Sequence, residues 1–382
     1  MAKFEPNVSI IIPIRNAERT LDTTIQYLLN IEYPTDKIEI LLADGGSSDG
    51  TVKIIKSYQK KYPFIKLIEV PDSKSPGHAR NAAIKEVKGE FVLFTDGDCA
   101  PSNDWVHQMV TPFEKNEKIG GVGGEVLTLR VESENHTESY CEQTHFLSPI
   151  GRCGLTESGH MPTLKNLLPH EVNGGDNNPF FATANFAVRK KAIDEIGGKF
   201  WDEPTGEDVD FNLRILKAGY TLYLQKEGVV KHMHRVDLKS FRKQLYGYGY
   251  GHPLLINRHA KNKVLELYLQ IGKGISIPIP FFMKGIIHIG NYHLMNFFLK
   301  LTLISYIVHL LTSSSIFSSI AFYSFIIFIL FTVLYFLPIL KLRPLTKFFT
   351  FARIRYTTNS SFIKGGLDAQ RKFGAICIEP SF

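Results

Sequence analysis

The stretch Gly89-Glu90-Phe91-Val92-Leu93-Phe94-Thr95-Asp96-Gly97-Asp98-Cys99 sets the reading of the whole chain. Phe91 to Thr95 is a short, mostly apolar run of the kind that forms a buried strand. It runs directly into two carboxylates. Residues i and i+2 point to the same side of an extended chain. Asp96 and Asp98 can therefore face one point in space, and Gly97 would let another group approach the backbone. Two converging carboxylates at a strand's C-terminal end suit a hard divalent cation, Mg²⁺ or Mn²⁺, that carries a phosphate-bearing substrate. Asp-Gly is also a common turn dipeptide, so a solvated turn is the other reading of these residues.

Strand patterns alternate with helix patterns upstream of this stretch. Val8 to Ile14, Ile38 to Ala43 and Ile65 to Val70 read as strands; helical patterns open at Thr20, Thr51 and Gly77. Four strands alternating with helices in about the first hundred residues predict an α/β domain with a mostly parallel sheet, whose ligands bind at the carboxyl ends of the strands. Asp44, just past the second strand and followed by Gly45 and Gly46, shares that location with the acidic pair. It can accept hydrogen bonds from a nucleobase or ribose, or serve only the loop and the helix cap after it. Phe181 to Arg189 reads as a further strand. Glu207, Asp208 and Asp210 open another helix, where acids are favoured by the helix dipole alone; a carboxylate there can also deprotonate an acceptor hydroxyl. Residues 130–178 lack clean periodicity and read as long substrate-facing loops with irregular helices.

The chain of 382 residues is 44% hydrophobic, enough for one large domain with an appendage or for two domains. Its net charge of +7 is modest, and the basic residues form no nucleic-acid stripe. The four cysteines are scattered, without zinc spacing or a disulfide framework. Met1 to Asn7 does not read as a signal peptide, so the N-terminal part is expected to fold in the cytosol. Near the end, Ile316 to Leu340 is free of charge and long enough to cross a bilayer. Leu294 to Leu311 is also apolar, interrupted by Lys300 and His309, and the two predict a transmembrane hairpin; the first can instead lie in the interface. Ile275 to Ile289 contains Pro278, Pro280 and Lys284 and reads as interfacial or re-entrant helices. The basic excess after Lys341 places the tail, and with it the N-terminal domain, on the cytoplasmic side of the cell membrane.

Five stretches in order carry a resemblance: Ser9 to Asn16, Ala43 to Thr51, Gly77 to Asn81, Thr95 to Asp98 and Gly206 to Phe211. Together they resemble the family-2 glycosyltransferases over roughly residues 7 to 250. Val229 to Arg235 and Gln244 to Gly249 look like the membrane-linked members that build exopolysaccharides or lipid-linked glycans. The resemblance implies a GT-A nucleotide-sugar fold, a Rossmann-like mixed sheet with helices on both faces, followed by the membrane hairpin. It implies residues 1–250 as the transferase domain, 251–293 as interfacial linker helices, 294–340 as the hairpin and 341–382 as a basic cytoplasmic tail. Pro13 and Arg15 would line the nucleotide pocket, Asp44 would contact the base and Arg80 would face the nucleotide. Asp96 and Asp98 would hold the sugar diphosphate through Mn²⁺ or Mg²⁺, with His232 adding a metal or phosphate contact. Asp208 would be the general base and Glu207 would support sugar or acceptor. The implied partners are a UDP- or GDP-sugar donor, a lipid-linked acceptor and membrane lipid, with no nucleic acid.

One departure bears on the activity. Processive cellulose- and hyaluronan-type synthases carry Gln-x-x-Arg-Trp; here Gln244 is followed by Leu245, Tyr246, Gly247 and Tyr248. Single addition of a sugar at the membrane surface is therefore expected. The alternatives are a synthase that loads one sugar onto a polyprenyl or dolichyl phosphate, and a catalytically silent membrane scaffold. A nucleotidyltransferase would need a glycine-rich phosphate loop at the first strand, which Pro13-Ile14-Arg15-Asn16 does not supply.

Overall fold

A computed structural model describes residues 3–164, 167–173, 180–261, 263–270 and 274–380. The chain divides into two compact units. The first comprises Met1–Leu167, Glu171–Val236 and Arg258–Lys261; the second comprises Leu168–His170, Asp237–Asn257 and Asn262–Phe382.

In the first unit the strands are β1 (Val8–Ile14), β2 (Ile38–Asp44), β3 (Ile65–Glu69), β4 (Phe91–Phe94), β5 (Cys99–Pro101), β6 (Ile119–Thr128), β7 (Gly159–His160), β8 (Phe186–Arg189) and β9 (Thr221–His232). The helices are α1 (Leu21–Leu29), α2 (Thr51–Gln59), α3 (Pro76–Ile84), α4 (Trp105–Lys115), α5 (His136–Gln143), α6 (Pro169–Val172, bridging both units), α7 (Lys190–Glu195) and α8 (Glu207–Lys217). The sheet runs β3-β2-β1-β4-β8-β6-β9-β5, with β7 on β9. β1 to β4 are parallel, as the β-branched runs predict. β8 runs antiparallel to β4 and β6, and β5 antiparallel to β9, so the sheet is mixed. Side chains on its two faces form two separate cores, one around Ile10, Ile12 and Trp105, the other around Ile11, Phe94 and Phe211. Alternate residues of β1 enter opposite cores, which is why the strand is apolar from Ile10 to Ile14.

Two local readings change. The expected strand 181–189 begins only at Phe186, because Thr183–Asn185 is a 3-10 turn. Its side chains and carbonyls are committed elsewhere: Thr95 donates to the Ala184 carbonyl (2.9 Å), and Asn185 bridges other elements. Residues 130–178 contain α5, β7 and α6; positions 165–166 and 174–178 of that stretch lie outside the described residues.

The second unit departs furthest from expectation. Instead of interfacial linker helices over 251–293, a long helix α9 (Leu238–His259) is followed by three strands, β10 (Val264–Leu269), β11 (Ile275–Pro280) and β12 (Lys284–Ile289). They join β13 (Ala375–Ile378) in a sheet ordered β11-β10-β12-β13. The physical reason lies in the prolines. Ile275-Ser276-Ile277-Pro278-Ile279-Pro280 has a period of two, and proline is tolerated on a strand whose outer edge is unpaired; β11 is such an edge. One sheet face is buried, carrying Glu266, Tyr268, Ile286 and Cys377. Glu266, fully enclosed, accepts from the His170 backbone N–H (2.9 Å) and bonds the His170 ring and the Ser276 hydroxyl.

Helices α10 (Asn291–Thr312) and α11 (Ser315–Phe336) follow, 22 residues each, joined at Ser313 in a left-handed conformation. At 1.5 Å per residue each spans about 33 Å, enough for a bilayer core. They pair through Thr302 and Ser324 hydroxyls (2.9 Å) and stacked Phe298 and Phe331. The expected basic tail is an ordered helix, α12 (Phe348–Phe373), leading into β13. Phe351, Ile354, Phe362 and Ala369 recur at helical spacing and are buried, while Arg353, Lys364, Arg371 and Lys372 stay exposed. A reading from charge alone overlooks that stripe. A Cβ at Gly249 would lie 2.0 Å from the Phe362 carbonyl, and one at Gly365 would lie 2.1 Å from that of Tyr246. Gly249 of the 244–249 motif thus serves the close crossing of α9 and α12, whereas a Cβ at Gly247 would meet nothing within 4 Å.

Candidate active site

The parallel register brings the strand ends together. Ile14 pairs with Asp44, and Ile11 pairs with Phe94, so the Asp96-Gly97-Asp98 turn lies beside the exit of β1. Thr20 fastens the turn by donating to the Gly97 carbonyl (2.8 Å). A Cβ at Gly97 would make only ordinary contacts with Ile14 and Ala17, so packing does not demand glycine there.

Asp44 serves the loop with one carboxylate oxygen and leaves the other unused. Its Oδ2 accepts from the backbone N–H groups of Gly46 (3.1 Å) and Ser47 (3.0 Å), holding a turn in which Gly46 has φ +81°. Its Oδ1 is buried and has no hydrogen-bond partner among the described residues. A carboxylate oxygen desolvated without a donor is costly, so this one is set for a ligand N–H or O–H. The neighbouring loops are tied to each other: Asn16 N–H donates to Ser47 Oγ, and Ser48 N–H donates to Asn16 Oδ1, both at 2.8 Å. Pro13 is half-buried, and Arg15 is exposed with Nη1 near the Ser73 carbonyl (3.3 Å).

Arg80 on α3 joins the two acidic motifs. Its guanidinium is buried, with Nη2 on Asp96 Oδ1 (2.9 Å) and Nη1 on Glu207 Oε1 (3.0 Å). Two carboxylates distant in sequence are held by one planar fork, a geometry lysine cannot reproduce. Gly77, on the same helix, allows the approach: a Cβ there would lie 2.7 Å from the Trp201 carbonyl. α8 starts after Gly206 at φ +79°, which sets Glu207 and Asp208 in its first turn. Desolvation, aided by the adjacent Glu207 carboxylate, raises the Asp208 carboxyl to about 7. That is a poised value for a base. Asp210, the third acid, has a different part. It is fully buried and bonded by Arg214 Nε (2.8 Å), Arg258 Nε (2.8 Å) and His259 Nε2 (3.0 Å). Burial works to raise its carboxyl, but His259 and the two arginines hold it below the usual carboxylate value.

Asp96, Asp98, Cys99 and His232 each bring one potential ligand atom within 4.8 Å of the others. β5 pairs Cys99 with His232, which delivers the imidazole to the acidic turn. His232 Nε2 lies 3.4 Å from Asp98 Oδ1, and its buried Nδ1 has no partner among the described residues. Burial raises the Asp98 carboxyl and the Asp96 charge adds to this, opposed by His232 and Arg235. The two carboxylates suit Mn²⁺ or Mg²⁺, and the imidazole stands beside them as a further donor. Cys99 is fully enclosed and its thiol is pushed up by burial, which leaves it a neutral wall of the site. His234 turns away: it bonds the Thr128 hydroxyl (2.9 Å), and burial together with His232 and Arg235 pushes it down to about 3. Of the two histidines, only His232 faces the acids.

Sequence reasoning missed Cys99, Arg235 (Nη1 3.9 Å from Asp98 Oδ2) and Asn185. The Asn185 amide donates to the carbonyls of Glu125 and Gly228 and accepts from the Trp105 indole, all at 2.8 Å, and so supports the strands behind the site. Only the adjacency of Cys99 to the acidic turn gave a local signal; the others depend on non-local pairing.

A mixed sheet thus carries acids at its parallel strand ends, with a second acidic pair at a helix start held to them through Arg80. Residues 9–197 match the model of glycosyl transferase family 2, so the chain carries a domain of that family. Glycosyltransferase AglE of Haloferax volcanii is 26% identical over 281 residues, covering 73% of this chain and 84% of its own. A Methanococcus voltae dolichyl N-acetyl-alpha-D-glucosaminyl phosphate 3-beta-D-2,3-diacetamido-2,3-dideoxy-beta-D-glucuronosyltransferase is 27% identical over 256 residues, covering 66% of this chain and 74% of its own. The chain also matches the probable glycosyltransferase YdaM of Bacillus subtilis at 26% identity, covering 56% of this chain and only about half (48%) of that relative.

Proposed function

We propose that this chain is an inverting, divalent-metal-dependent glycosyltransferase that moves one sugar from a UDP- or GDP-sugar to a lipid-linked saccharide at the membrane surface. The observation that carries this reading is the Arg80 bridge, which fastens the Asp96/Asp98 turn to the helix start bearing Glu207 and Asp208. A diphosphate-binding group and a base are thereby held as one constellation. Asp44 Oδ1 takes a donor group of the nucleobase, and Pro13 and Arg15 flank the nucleotide. Asp96, Asp98 and His232 hold the cation, which when bound stabilises negative charge on the leaving diphosphate. Asp208 takes the proton of the acceptor hydroxyl as that oxygen attacks the anomeric carbon from the face opposite the leaving group. One displacement inverts the configuration and needs no carboxylate nucleophile. Glu207, fixed by Arg80, supports the sugar.

The lipid-linked acceptor is supported by α10 and α11, which suit a bilayer by length and composition, and by the Methanococcus voltae relative, whose name places its own acceptor on a dolichyl phosphate. The exposed basic residues of α12 favour the cytoplasmic side for both chain ends. Turnover of a UDP- and GDP-sugar panel by protein in detergent, with membrane lipid extract as acceptor, tests the reading. Release of one nucleoside diphosphate that requires Mn²⁺ or Mg²⁺ and is lost in Asp98→Ala is expected. Failure to turn over or bind any donor would return the chain to the silent-scaffold alternative.

A further inference from the structure

The second unit presents a sheet face that no described residue covers. Pairing partners point to the same side of a sheet. The register therefore puts Glu266, Tyr268, Ile286 and Cys377 on the buried side and every odd-numbered position of β10 to β12 on the other. On that other side β10 contributes Leu265, Leu267 and Leu269, and β11 contributes Ile275, Ile277 and Ile279. β12 and β13 add only isoleucines and Gly285. No polar side chain interrupts the face. The β11 isoleucines are 47%, 42% and 38% exposed, and the remaining leucines and isoleucines are partly exposed. A contiguous aliphatic surface of this kind marks an interaction site.

We propose that this face lies against the hydrocarbon of the membrane leaflet, as an interfacial platform continuous with the helical hairpin. This rests on the reading of α10 and α11 as membrane-spanning. β12 ends at Ile289 and α10 begins at Asn291, so a single residue, Gly290, separates the aliphatic face from a helix suited to the bilayer. Gln270 N–H donates to the Ile289 carbonyl (3.0 Å), which holds the end of β10 at the same level. Phe282, in the β11–β12 turn, is 72% exposed and extends the apolar surface to the far end of the strands. Exposed Lys263, Arg371 and Lys372 stand just before the starts of β10 and β13, where they can meet lipid headgroups. A second copy pairing along the β11 edge is disfavoured, because Pro278 and Pro280 remove backbone donors from it.

The test uses full-length protein in phospholipid vesicles. All four native cysteines are buried, so an introduced surface thiol takes a fluorophore selectively. Three variants are labelled: Ile277→Cys on the sheet face, Ile326→Cys on α11 and Lys53→Cys on α2. Vesicles containing nitroxide-tailed lipid are expected to quench positions 277 and 326 but not 53. Quenching at 326 without quenching at 277 overturns the platform while leaving the hairpin in the membrane. Protection of 277 that grows with protein concentration and without lipid quenching overturns it in favour of self-association. No quenching at 326 overturns the membrane reading itself, and the platform with it.

Discussion

Replacing Arg80 by Gln removes the bridge on which the site is built, and its cost can be worked from the contacts. Glu207 is nearly enclosed and loses a charge-assisted hydrogen bond, worth about 1.5–3 kcal/mol. Asp96 keeps about a third of its side chain in solvent, so its lost pair counts for no more than about 1 kcal/mol. The sum, about 2–4 kcal/mol, corresponds to an apparent Tm lowered by roughly 5–12 °C for a domain of this size. A chemical signature accompanies it. The Arg80 charge lowers the Asp208 carboxyl against desolvation and Glu207. Without Arg80 the carboxyl rises above its native value. The base must be ionised to act, so activity falls as pH drops through its pKa. The acid limb of kcat/KM is thus expected to lie near pH 7 in the native enzyme and to move to higher pH in Arg80→Gln. Nucleoside diphosphate release from pH 5.5 to 9, beside a thermal unfolding scan, reads both effects. Arg80→Lys keeps the charge but not the fork, and is expected to hold the acid limb near its native position while still losing Tm. An Arg80→Gln protein with native Tm and an unmoved acid limb would refute the claim that Arg80 couples the two acidic motifs.

Four further outcomes follow from the same geometry. Asp208→Asn should retain donor binding by calorimetry while kcat drops by about 10²–10⁴, the usual range for a lost base; a matching loss of donor affinity would make Asp208 a binding residue instead. Asp44→Ala should weaken donor binding by about 10–100-fold, the worth of a hydrogen bond to a charged group, with a smaller effect on kcat. Gly46→Ala should do the same indirectly, because φ is +81° and a Cβ would lie 2.6 Å from the Pro71 carbonyl; unchanged KM would show that the turn does not position Asp44. His232→Ala should raise the Mn²⁺ concentration needed for half-maximal activity, whereas His234→Gln should not.

The first unit was legible because its signals are local. The apolar runs of β1, β2 and β4 each announce a buried strand, and Asp44 and Asp96 mark where β2 and β4 end. The pairing of Glu207 with Asp208 at a glycine-preceded helix start was equally visible. What sequence could not give was which acids share a partner: Asp210 looks like its neighbours in the chain but is consumed by Arg214, Arg258 and His259. His232 and His234 are likewise indistinguishable until the pairing of β5 with β9 turns one toward Asp98. The second unit was misread for a physical reason. Pro278 and Pro280 argue against a central strand but not against an edge, and edge status is a property of the assembled sheet. β13, nearly a hundred residues downstream of β12, completes that sheet, a non-local pairing with no signature in either segment.

The central claim is that Asp96, Asp98 and His232 hold a divalent cation for a nucleoside diphosphate, with Asp208 acting separately as base. Mn²⁺ titration followed by electron paramagnetic resonance, with and without UDP or GDP, tests it most directly. The account predicts an ion whose binding tightens when the diphosphate is present, is lost in Asp98→Ala and survives in Asp208→Asn. Nucleotide-linked Mn²⁺ binding of equal strength in Asp98→Ala would contradict it.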